Sequence, residues 1–115
     1  MKKSINEWQK QVHENAKAHG WWDKEREFTN LLFLVISECV EAGEEERNGR
    51  AITETYYTKD KQGNDKMEGA PSELADIVIR VLDLCEHYGI DLEKVMEEKH
   101  KYNMERPYKH GGKKY

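Results

Sequence analysis

The chain is poor in the residues that would tie it to several large classes of protein. Two cysteines in 115 residues, Cys39 and Cys85, form no CxxC pair and give no basis for a disulfide framework or a structural zinc site. They read as two small, reduced core residues of a cytoplasmic protein. Two prolines and eight glycines exclude a collagen-like or low-complexity chain. The longest unbroken apolar run, Leu31 to Ile36, is far short of the roughly 20 residues of a membrane helix. No apolar stretch of signal-peptide length follows Met1-Lys2-Lys3-Ser4. Nor is there an excess of positive charge. Nineteen Lys and Arg against 23 Asp and Glu leave a net charge of -4, which disfavours nucleic acid and anionic membrane as partners. Hydrophobic residues make up only 37%, equal to the charged fraction, so burial completed by self-association is expected.

What is present is mostly helical pattern. Ser4-Ile5-Asn6-Glu7 is a capping box, and Ile5, Trp8, Val12 and Ala16 follow at spacings of three and four. His19-Gly20 ends this first helix, and Trp21-Trp22-Asp23 makes an aromatic turn. A second helix is expected from about Lys24 to Arg47, stopped by Asn48-Gly49. Arg50 to Gly69 is polar and without periodicity, and reads as a long loop, with a hairpin around Gly63 anchored by Tyr56-Tyr57 as one arrangement. No segment reads as a convincing strand. Pro71 opens a third helix that runs to Tyr88, and its apolar residues surround so much of its circumference that it should be central. Asp91 caps a fourth helix, with Leu92, Val95 and Met96 facing inward, lasting to about Met104. A basic tail occupies about 107–115. The expected fold is one all-α domain, a four-helix bundle completed by oligomerisation.

The second and third helices carry acids where apolar residues are expected. At about 100° per residue, Leu31, Leu34, Val35, Glu38, Glu41, Ala42 and Glu45 share one side of the second helix. Glu73, Asp76, Arg80 and Asp83 share one face of the third. Two unit charges about 4 Å apart at an effective dielectric near 20 repel by roughly 4 kcal/mol. Acids gathered away from water must therefore protonate, pair with cations or bind metal. Mg2+ suits such oxygen donors and leaves positions open for phosphate oxygens. The competing reading is a solvated glutamate-rich face, with Arg80 neutralising one acid.

Three ordered motifs sharpen this. Glu38-Cys39-Val40-Glu41 within "ISECVEAGEE", Glu73-Leu74-Ala75-Asp76 within "PSELADIVIRVLD", and the ending "EKHKYNMERPYKHGGKK" stand in sequence, with "AKAHGWWD" before the first. Together they resemble the all-α nucleoside triphosphate pyrophosphohydrolases of the MazG-like superfamily, in particular its small phage and bacterial type. The resemblance covers nearly the whole chain apart from the Arg50–Gly69 loop. It departs from some members at Ser37, where they carry another glutamate.

The resemblance implies Mg2+, with Mn2+ as a possible substitute, held by Glu38, Glu41, Glu73 and Asp76. It implies cleavage of a (deoxy)nucleoside triphosphate between the α and β phosphates, for nucleotide-pool control or house-cleaning, with Glu38 or Glu41 as general base. It assigns Lys99, Asn103, Arg106 and Lys113 to phosphate or sugar, and the protein itself to a homodimer or homotetramer. His13, Trp21 and Trp22 are candidates for a base pocket, at most one of the two tryptophans stacking on the base. Glu45 and Asp83 read as supporting residues, one of them paired with Arg80. The alternatives are a related pyrophosphohydrolase acting on a substrate such as phosphoribosyl-ATP, or a catalytically silent helical dimer that binds a protein.

Overall fold

The structure, a computed structural model, describes residues 2–107. Its elements are α1 (Ile5–Ala18), α2 (Phe28–Arg47), β1 (Tyr56–Lys59), β2 (Asp65–Glu68), α3 (Ala70–His87) and α4 (Leu92–Glu105). The chain is thus largely helical, and the small sheet corrects the expectation that it contains no strand. Both α1 and α2 pack against α3, whereas α4 rests mainly on α1.

Local chemistry sets the element ends. The Ser4 hydroxyl accepts from Glu7 N and the Glu7 carboxylate accepts from Ser4 N, the reciprocal capping box read in the sequence. The Asp91 carboxylate accepts from Lys94 N at the start of α4. β1 and β2 pair antiparallel, with Tyr56 opposite Glu68 and Lys59 opposite Asp65. The Asp60 carboxylate accepts from the backbone N–H of Gln62 and of Asn64, building the turn around Gly63 at φ 83°. Tyr56 anchors the hairpin as anticipated: its hydroxyl donates to Glu45, and the Arg50 guanidinium lies 3.8 Å from its ring centroid. Gly69 joins hairpin to α3 at φ 111°, where a Cβ would collide with the Glu54 carbonyl oxygen.

Three further expectations are revised. α2 begins at Phe28, not Lys24, because Trp22 is pinned to α3 and the intervening residues span the gap from there to α2. On α1 the buried residues are Gln9 and His13, one position round from Trp8 and Val12. Polar partners on and just beyond α3 fix that rotation: Gln9 Nε2 donates to Glu86 and to the Ile90 carbonyl, and His13 Nδ1 lies 2.7 Å from Asp83 Oδ1. On α4 only Leu92 joins the core, while Val95 and Met96 are exposed.

That core is small. Leu31, Leu84 and Cys85 form its centre, with Trp22, Val35, Val81 and Leu92 packed around them. Cys85 therefore meets expectation, but Cys39 is exposed. The expected cover over α3 is also incomplete within one chain. Leu74, Val78 and Ile79 on α3, and Leu32, Phe33, Ile36 and Val40 on α2, are exposed.

Candidate metal centre

The acid face of α3 meets the acid face of α2 at Glu38, which is only 7% exposed. Glu38 Oε1 accepts from Arg80 Nε at 3.1 Å, and Glu38 Oε2 is buried with no partner among the described residues. Such an oxygen is costly to leave bare, since a buried acceptor without a donor loses its hydration for nothing. One carboxylate oxygen from each of Glu38, Glu73 and Asp76 lies within 4.8 Å of the others. Glu41, one turn beyond Glu38, is exposed at the rim of this cluster.

The electrostatics record the crowding. Burial and the crowding of Glu38 and Glu41 push the Glu73 carboxyl up to about 8, so at neutral pH it keeps its proton. Asp76 is raised by burial and by the charge of Glu38, against the pull of Arg80 and Lys66. Burial also acts to raise Glu38, but the neighbouring Glu73 carboxyl and Arg80 outweigh it, and the net direction is down. These donors fit a hard divalent cation: carboxylate oxygens only, close together, one orphaned and one protonated for want of a counter-charge.

A groove of about 480 Å³ opens beside the cluster. Glu38, Asp76 and Arg80 line one part of it, and Trp8 and Trp21 line another. Trp21 is 55% exposed, so one indole stands open to the groove.

Trp22 turns the other way. Its Nε1 donates to Asp83 at 2.9 Å, and His87 stacks on it at 3.9 Å between centroids. His13 shares the same Asp83 oxygen and is buried. His13 and Trp22 thus belong to a packed polar node, which leaves Trp21 as the one of the two adjacent tryptophans available to a base, beside Trp8, 46% exposed on the same groove. Glu45 and Asp83 take their partners from Tyr56 and from His13 and Trp22, and Arg80 pairs with Glu38 instead. The helical-wheel reading missed this because Glu38 and Arg80 are 42 residues apart and only the α2–α3 packing joins them.

Lys99 and Asn103 are exposed on the second half of α4, and Arg106 is its C-cap residue. Lys99 and Arg106 both lie near the Tyr102 ring, at 5.6 and 5.9 Å. None of the three lines the groove, so the single chain does not bring them to the acids. Lys113 lies outside the described residues. In comparisons with known proteins, no family model, no curated protein and no solved structure matches this chain.

Proposed function

We propose that the protein is a Mg2+-dependent pyrophosphohydrolase of (deoxy)nucleoside triphosphates, of the MazG-like kind its motifs resemble. The observation that carries this reading is the orphaned, buried Glu38 Oε2 beside the Glu73 and Asp76 carboxyls. Glu38, Glu73 and Asp76 would hold the ion, with Glu41 completing the set from the rim; Mn2+ suits the same oxygens. When bound, the ion neutralises the triphosphate and makes water a better nucleophile.

The chain's own groups do the rest. Glu41 is the better placed of the two glutamates to take a proton from water, since it is exposed while Glu38 is buried and held by Arg80. Water is added across the α–β anhydride, the proton passes to the carboxylate, and monophosphate and pyrophosphate leave. Trp21 offers its open indole face to the nucleobase. The open apolar faces of α2 and α3 are read as the contact with a second copy, in a homodimer or homotetramer. Lys99, Asn103, Arg106 and Lys113 would reach the phosphates through that assembly or through a shift of α4. Among the described residues no helix is long and apolar enough to cross a membrane, and a cytoplasmic location belongs to the proposed reading.

The test is pyrophosphate release from a panel of ribo- and deoxynucleoside triphosphates and phosphoribosyl-ATP, with Mg2+ and with chelator. Mg2+-dependent pyrophosphate with equimolar monophosphate is expected. Release from phosphoribosyl-ATP alone would move the reading to a related substrate. No release from any of them would leave a binding module.

A further inference from the structure

Among the described residues, Arg80 is the one groove-lining cation that also touches the acid cluster. It stands one helical turn after Asp76 on α3, and its side chain is 29% exposed. A guanidinium carries five N–H donors in a fixed fork. Only Nε is engaged, to Glu38 Oε1 at 3.1 Å, and neither terminal nitrogen has a hydrogen-bond partner among the described residues. Arg80 therefore neutralises the same carboxylate that a metal ion would use, while presenting unused donors to the groove.

These two features conflict once an ion is present. A divalent cation on Glu38 takes over the carboxylate charge and repels the guanidinium, and the natural new partner for planar, paired N–H donors is a phosphate oxygen pair. We propose that Arg80 is an exchangeable cation: it pairs with Glu38 in the metal-free protein and moves its guanidinium to polyphosphate oxygens when the acids hold metal. The identity of the anion rests on the pyrophosphohydrolase reading. The site is distinct from Lys99, Asn103 and Arg106, which do not line the groove.

Titration calorimetry on the full chain tests it with two probes, Mg2+ alone and inorganic tripolyphosphate in saturating Mg2+. Wild type, Arg80→Gln and Arg80→Lys are compared, with thermal melts as the check on folding. Arg80→Gln is expected to bind Mg2+ alone several-fold more tightly, because its competitor is gone, and tripolyphosphate at least tenfold more weakly. Arg80→Lys keeps the charge but not the fork. It should bind Mg2+ like wild type and tripolyphosphate with intermediate affinity, which keeps the test usable if the glutamine variant folds poorly. Undiminished tripolyphosphate binding by Arg80→Gln overturns the phosphate role, and unchanged Mg2+ affinity overturns the exchange. A wild type that binds tripolyphosphate through Arg80 but hydrolyses no nucleotide removes the proposed reaction and leaves this inference standing. A wild type that binds Mg2+ but no tripolyphosphate removes both.

Discussion

Two acids on one face of α3, Asp76 and Asp83, lie two turns apart and have opposite surroundings. Asp83 accepts from the Trp22 indole and lies 2.7 Å from His13 Nδ1, so its carboxylate is met by donors on α1 and the aromatic turn. Asp76 is met by Glu38 and Glu73, with Arg80 engaged only to Glu38. The Asp83 end is a closed hydrogen-bond network, and it fixes the rotation of α1 and the entry to α2. The Asp76 end keeps an orphaned oxygen and a carboxyl held protonated by its neighbours. Acids on one helix face therefore divide by their partners: a satisfied one holds the fold, and an unsatisfied one awaits a ligand.

The sharpest way to break this contrast is to remove a charge at each end. Asp76→Asn or Glu38→Gln should cut Mg2+-dependent turnover by about 100-fold or more. Asp76→Asn should not destabilise the metal-free protein, because it relieves repulsion, whereas Glu38→Gln also gives up the ion pair with Arg80. Undiminished turnover of both variants would remove these residues as ligands. Asp83→Ala should do the reverse. It leaves the Trp22 indole N–H and His13 without their acceptor, at a cost of about 2 kcal/mol in chemical denaturation. Its Mg2+ affinity by calorimetry should stay at the wild-type level. An equal loss of metal affinity would mean the two ends of the face are not separate.

The same contrast explains what the sequence made legible. The capping box, the stop at Asn48-Gly49 and the acids at i and i+3 are local patterns, and each is where it was read. The polar contacts of α1 with α3 were not legible, because Trp8 looks like a core residue and Gln9 like a surface one. Only the presence of Glu86 and the Ile90 carbonyl across the interface reverses them. Glu38, Glu73 and Asp76 converge as expected, whereas the choice between Trp21 and Trp22 depended on Asp83 and His87, both on a helix some 60 residues away. The hairpin has no clean alternation in its strands. Its signal lay in the Asp60 turn and the Tyr56 anchor, which a search for hydrophobic periodicity does not see.

Titration separates the two ends more gently. Glu73 goes from 4.5 in the unfolded chain to about 8 in the folded one, and Asp76 shifts the same way. The folded state then binds the proton more tightly, so this stabilisation is complete below about 4.5 and is lost as pH rises towards 8. Glu38, shifted down, acts below that window and opposes it only in acid. In chelator the melting temperature should therefore fall between pH 5 and pH 8.5 by roughly 4 °C, taking about 1 kcal/mol after solvent screening of the partly exposed Glu73. Mg2+ should raise it most at the alkaline end, where no proton has to be displaced. Glu73→Gln should flatten the chelator curve; a curve as steep as wild type would place the titrating group elsewhere.

The smallest effect on the fold belongs to the indole that the Asp83 network leaves out. Trp21 stands open to the groove while its neighbour Trp22 is stacked and hydrogen-bonded. Trp21→Ala should change stability by less than about 0.5 kcal/mol, as for an exposed side chain with no network to break. Its effect should fall on substrate: loss of a stacked base costs about 1 to 2 kcal/mol, a rise of roughly tenfold in KM with kcat nearly unchanged. Trp22→Ala should instead lower the melting temperature clearly, since it removes a donor to Asp83, a partner of His87 and part of the core cover around Leu31. If the two substitutions exchanged these signatures, with Trp22→Ala raising KM in a stable protein, the base would sit against the Asp83 node. Asp83 would then belong to the site and not to the scaffold.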